Sequence, residues 1–88
     1  MDNYLKVASS SSPNSMAGMI AALVKEGSKK VKLQCVGAGA VNQGIKAVII
    51  ARGYLTPVGY DICIKPAFDI ASIEGNDRTA ISLIVEVA

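Results

Sequence analysis

A two-layer α/β sandwich is the fold this sequence predicts: a four-stranded mixed sheet in the order β-α-β-α-β-β, with both helices on one face. Three observations predict it. Hydrophobic residues recur at helical spacing in two segments, residues 13–26 and 41–55. They alternate with polar residues in four others, which begin near residues 4, 31, 60 and 79. The chain passes from strand–helix pairs to two consecutive strands, and one sheet covered on one side buries all of these faces.

Each element carries its own signals. Tyr4 to Ala8 reads as a first strand, with Leu5 and Val7 alternating against Lys6 and Ala8. After the polar loop Ser9 to Ser12, Ser12 is placed to cap a helix whose first position is Pro13. Met16, Met19, Ile20, Leu23 and Val24 continue that helix, and Gly27 ends it. Val31 to Val36 is the second strand. The glycine turn Gly37-Ala38-Gly39 then opens a helix that Thr56-Pro57 stops.

In this second helix Val41, Gly44, Ile45, Val48, Ala51 and Leu55 form the expected core stripe. Ile49 and Ile50 fall outside it, beside Asn42, Gln43 and Lys46, and call for a cover such as a second copy of the chain. Tyr60 to Lys65 is the third strand, and Pro66 places it at an edge or at a bulge. Phe68, Ile70 and Ile73 lead toward a turn at Glu74 to Asp77. Thr79 to Val87 is the last strand, and Ile84, opposite Ile81, Leu83, Val85 and Val87, suggests cover on both faces.

Residues 1–88 make one domain, and 51% hydrophobic residues with 5% aromatics and no Trp require an aliphatic core. The formal charge of +2 is far below the density of a histone-like protein, so contact with a polyanion depends on local placement and on doubling in a dimer. The absence of His removes the commonest general base and metal ligand. The seven carboxylates form no spaced pair, and Cys35 and Cys63 have neither basic neighbours nor a CxxC spacing. These points predict no catalytic residue, no metal site and no cofactor. The two cysteines, each in an apolar strand pattern, read as a reduced buried pair, with one disulfide as the arithmetical alternative. MDNYLKVASS lacks a basic start and a long apolar run, and no stretch approaches membrane-span length; a soluble cytoplasmic protein is expected.

Four segments carry a family resemblance: SSPNS (Ser11 to Ser15), GAGAVNQGIKAVIIARGYL (Gly37 to Leu55), KPAF (Lys65 to Phe68) and RTAISLIVE (Arg78 to Glu86). They resemble the stage V sporulation protein S family of spore-forming and related bacteria, over nearly the whole chain. The resemblance implies a small cytoplasmic protein linked to late spore development, with a fold similar to the archaeal Alba chromatin proteins. Alba proteins are dimers that bind DNA or RNA through basic residues on the two strand-to-helix loops and through an extended final hairpin. This chain departs from that pattern. Ser9 to Ser12 stand where Alba has lysines, and the final turn, Glu74 to Asp77, is short and acidic.

The candidate binding residues follow from the two turns. Parallel first and second strands start both helices at one end of the sheet. Ser11, Ser12, Asn14 and Ser15 would then lie near Asn42 and Gln43, a polar platform for phosphate and sugar hydroxyls, with Lys46 one turn on as the best-placed cation. Gly37 and Gly39 leave backbone N–H groups free at a helix N-terminus, or serve only to let strand and helix pack closely. The turn matches neither a P-loop nor a complete GxGxxG fingerprint. Arg52 reads as a core-side ion pair, and Lys29, Lys30 and Lys32 as a solvated edge at the opposite end of the sheet. Three functions fit these residues: a nucleic-acid-binding homodimer, a protein–protein scaffold, and a sensor holding a small anion at the glycine turn.

Overall fold

The computed structural model describes residues 3–88. Its elements are β1 (Asn3–Val7), α1 (Pro13–Lys25), β2 (Lys30–Cys35), α2 (Ala38–Leu55), a short 3-10 turn (Thr56–Val58), β3 (Ile62–Ile73) and β4 (Asn76–Val87). The sheet order is β1-β2-β4-β3; β1 and β2 are parallel, and β4 runs antiparallel to both its neighbours. Both helices lie on one face, as the periodicities require, and they bury Val31, Leu33, Cys35, Leu83 and Val85 beneath Ile20, Val24, Val48 and Leu55. The approach of α2 to the sheet is close: a Cβ on Gly44 would sit 2.9 Å from Leu83 Cδ1 and 3.3 Å from Cys35 Sγ.

The capping signals act as read. Ser12 Oγ accepts from Ser15 N at 3.3 Å with Pro13 in the first turn, and Gly27 adopts φ +103° just beyond α1. Position within α2 is less simple. Ala40 and Ala47 are buried beside Gly44, Val48, Ala51 and Leu55, whereas Val41 is only half-buried and Ile45 is exposed. Small residues turn inward here because the helix lies so close to the sheet that larger ones are pushed to its flank. Met19, which continues the helical spacing of α1, is exposed.

The last two strands differ most from the sequence reading. β3 does not stop at Pro66 but pairs continuously with β4 from Ile62 to Ile73, without a bulge, and Pro66 lies on an edge strand. The connection is only Glu74-Gly75, with φ +52° and +79°, the two positive values of a type I′ hairpin turn. Since β2 pairs with β4 only as far as Cys35–Ile81, the hairpin projects past β2 at the end where both helices begin. The turn is short and acidic, but the arm bearing it is long. β4 is central as expected, yet Ile84 is half-buried on the face without helices and is not covered on both sides.

The free edge of β3 is blunted. Pro66 has no N–H, and the N–H groups of Ile62 and Ile70 donate to the carboxylates of Asp61 and Asp69, at 2.9 and 2.8 Å. Cys35 is buried and Cys63 exposed, and both are free thiols, so the expected buried pair does not exist. Burial pushes the Cys35 thiol pKa up, which keeps it protonated and unreactive. No helix among the described residues is long and apolar enough to cross a membrane.

Candidate functional site

The two strand-to-helix turns meet at one end of the sheet. Gln43 Nε2 donates to the Ser11 carbonyl at 2.9 Å, joining α2 to the loop before α1. A Cβ on Gly39 would fall 2.9 Å from Ser9 Cβ, so glycine is required where the turns touch. Gly37 has φ +93° and caps α2 without a side-chain bond, leaving the first N–H groups of that helix without an intrahelical partner. Asn14, Ser15, Asn42 and Lys46 are exposed around this junction.

Part of the platform is already engaged internally. The Gln43 amide is committed to Ser11 O. Ser11 Oγ accepts from Ala8 N at 2.9 Å, and Ser12 Oγ holds the cap of α1. These three residues shape the edge, and Asn14, Ser15, Asn42 and Lys46 remain to present side chains outward. Arg52, expected on the core side, is exposed and pairs with Asp61 at 3.1 Å. Among the described residues no group of three or more His, Cys, Asp or Glu could hold a metal ion.

A second surface lies on the flank of α2. Gln43 reaches toward α1 and Arg52 toward the start of β3, so the two sides of α2 are identified by these contacts. Ile45 and Ile49 lie on the Arg52 side at helical spacing. Neither helix shields the far half of β3, where Phe68 is 85% exposed and Ile70 68%. Ile49 is 63% exposed. Ile50, expected beside it in an interface, turns the other way and packs against the core.

One cluster was not anticipated from the sequence. On the sheet face without helices, Asp69 accepts from Ser82 Oγ at 2.7 Å and Gln34 Nε2 at 3.1 Å, and pairs with Lys32 Nζ at 2.8 Å. The Tyr4 hydroxyl donates to Gln34 Oε1, and Lys32 Nζ lies 5.7 Å from the Tyr4 ring centroid. This network ties the base of the hairpin arm to β1 and β2. The only signal for it in the sequence is a polar residue at alternate strand positions, which does not reveal its partners before the register is known.

The Lys32 ion pair, with the Ser82 and Gln34 donors, holds the Asp69 carboxyl far below its ordinary value of 3.8. Because the folded-state pKa is lowered, the carboxylate contributes stability above the unfolded value, and this is lost as pH falls below it toward the folded one. Asp69→Asn is therefore expected to lower the thermal midpoint at neutral pH. The gap to the parent should narrow on titration below pH 4; a constant gap would show that the charge of Asp69 contributes nothing.

A family model described as Stage V sporulation protein S (SpoVS) matches residues 3–88. Among solved structures, the chain is similar to Alba from Thermoplasma volcanium, with a TM-score of 0.64 at 11% identity, covering 98% of this chain and 99% of that one. At that identity the likeness speaks for the fold, which is Alba-like. With the family match spanning every described residue, the chain belongs to the stage V sporulation protein S family.

Proposed function

We propose that this protein is a non-enzymatic, sporulation-associated regulator or structural factor that acts as a cytoplasmic homodimer and binds nucleic acid along its loop edge. The observation that carries this reading is the joining of the two strand-to-helix turns through Gln43 and Ser11, with Gly39 seated against Ser9. The uncapped N-terminus of α2 and the exposed Asn14, Ser15, Asn42 and Lys46 support the reading as groups suited to phosphate and sugar oxygens. The edge holds few cations, so affinity depends on two subunits acting together.

The test is a salt series on labelled duplex and single-stranded oligonucleotides. Parent protein is expected to be retained at about 50 mM salt, with log affinity falling by roughly 0.9 per duplex phosphate contact for each unit of log salt. The double variant Asn42→Ala/Lys46→Ala should flatten that slope by about one contact per subunit and leave the melting temperature unchanged. No retention of the parent on any oligonucleotide at that salt would refute the reading.

A second reading, a protein scaffold without nucleic-acid binding, is favoured by the apolar flank of Ile49, Phe68 and Ile70 and by the acidic Glu74 at the hairpin tip. It predicts that loss of this flank abolishes function while the Asn42 and Lys46 variants behave as the parent does.

A further inference from the structure

Most lysines of the sheet lie on its open face, and Lys30, Lys32 and Lys65 stand well back from the loop edge. The pairing registers place Lys6, Lys30, Lys32 and Lys65 on the sheet face without helices, together with the carboxylates of Asp69 and Glu86. Arg78 shares this face by register, farther out on the hairpin arm, so its cations outnumber its two carboxylates. The helix-starting end is balanced, with Lys46 and Arg78 against Glu74 and Asp77. Glu86 alone answers both Lys30, at 3.9 Å, and Lys65, at 3.3 Å, so these two lysines share one negative charge.

A depression of about 390 Å³ opens on this face, lined by Asn3, Tyr4, Lys30, Lys32, Ile84 and Glu86. Its size falls within the ~300–1,000 Å³ range of small-ligand sites. Tyr4 is half-exposed but its ring is held, because the hydroxyl bonds Gln34 and Lys32 lies against it. Ile84 supplies an apolar surface in a sheet face that is otherwise polar here. The site thus combines an aromatic wall, an aliphatic floor, an amide and a carboxylate for hydrogen bonds, and ammonium groups at the rim.

We infer that the open sheet face is a nucleotide-binding surface, stacking a base on Tyr4 at the depression that Ile84 floors and taking the attached phosphate on Lys30, while Lys32, already paired with Asp69, adds to the local positive potential. The chemistry is that of an unpaired nucleotide unit: a flat π-face for Tyr4, ring nitrogens and exocyclic groups for Asn3 and Glu86, and an anion for the lysines. A paired base presents no free face to such a slot, so the surface selects single strands or mononucleotides over duplex. An acidic peptide would satisfy the lysines but leave the aromatic face of Tyr4 and the apolar floor at Ile84 without a role. The inference rests on the reading that this protein meets nucleic acid, but it uses different residues from the loop edge.

The experiment measures binding of a labelled oligouridine by fluorescence anisotropy and of UMP by calorimetry. Parent is compared with Lys30→Ala, Tyr4→Ala, Tyr4→Phe and the loop-edge double variant. Lys30→Ala and Tyr4→Ala should each weaken oligouridine binding about tenfold, and Tyr4→Phe, which keeps the ring, should recover most of the loss. Lys30→Ala should also reduce the salt slope by roughly 0.7, as for one single-strand phosphate contact. Tighter binding of the oligomer than of UMP assigns a strand as the ligand, and equal binding assigns the free nucleotide; either supports the inference. Should Tyr4→Ala melt early, Lys30→Ala decides alone, since Lys30 is exposed and Lys65 still pairs with Glu86. Unchanged affinity in Lys30→Ala, with loss only in the loop-edge variant, overturns the inference and leaves the loop-edge reading standing. Displacement of the oligomer by polyglutamate as readily as by UMP also overturns it. Absence of binding by the parent to any single strand, UMP or duplex overturns both.

Discussion

Replacing Ile49 by aspartate is expected to break the proposed dimer and leave a single subunit of 9.1 kDa, read by sedimentation equilibrium. Ile49 stands on the outer flank of α2, and Phe68 on the far half of β3 is the most exposed large hydrophobic residue described, at 85%. Phe68 alone leaves on the order of 150 Å² of ring surface in water. With Ile45, Ile49 and Ile70 the exposed apolar area falls within the ~300–600 Å² of the largest patch on a typical monomer. It also supplies about half of the ~800 Å² that each partner of a standard interface contributes.

The mode of contact follows from the edge. Pro66 and the Asp61 and Asp69 carboxylates leave β3 a poor template for strand addition, so the second copy is expected to pack on the face and not to extend the sheet. A charge at Ile49 would then be buried without a partner in both subunits, which no rearrangement of an aliphatic interface accommodates. Phe68→Glu should give the same result, whereas Ile50→Asp should lower stability because Ile50 packs on the core. A parent protein that sediments as a single subunit at high concentration would end this account.

The second large effect is on folding. Leu33→Ala is expected to destabilise the protein by about 2–5 kcal/mol, the range for removing a fully buried leucine. For a domain of 88 residues this lowers the thermal midpoint by at least about 10 °C. Leu33 lies on an interior strand beneath α2, where Gly44 brings the helix against Leu83 and Cys35. The helix is already as close as its backbone allows, so the cavity cannot collapse. A loss below about 1 kcal/mol in urea titration would show that α2 can settle further than the contacts at Gly44 permit.

Much of the fold was legible because its signals are local. Ser12-Pro13 announces a helix start through a cap and a missing N–H, Gly27 announces a stop through its left-handed backbone, and alternation identifies the strands. The loop edge was legible for a related reason. Two parallel strands oblige both helices to begin at the same end, which brings Ser11 toward Gln43. Pro66 pointed to an edge, and β3 is one; the strand runs on past it because a missing donor halts a strand only where a neighbour needs it, and on the outer side of β3 nothing does. Ile45 and Ile50 were exchanged between core and surface because helical spacing gives angles about an axis, not the side on which another element sits.

The sequence by itself determined the element order, the caps, the two-layer sandwich and the residues of the loop edge. These depend on spacing and on backbone preferences carried by single residues. Only the tertiary structure decided which flank of α2 remains open, how far the hairpin projects, and that Asp69 gathers Lys32, Gln34 and Ser82. Those facts depend on strand register and on the distance between layers, which arise from contacts between residues far apart in the chain and leave no periodic trace within it.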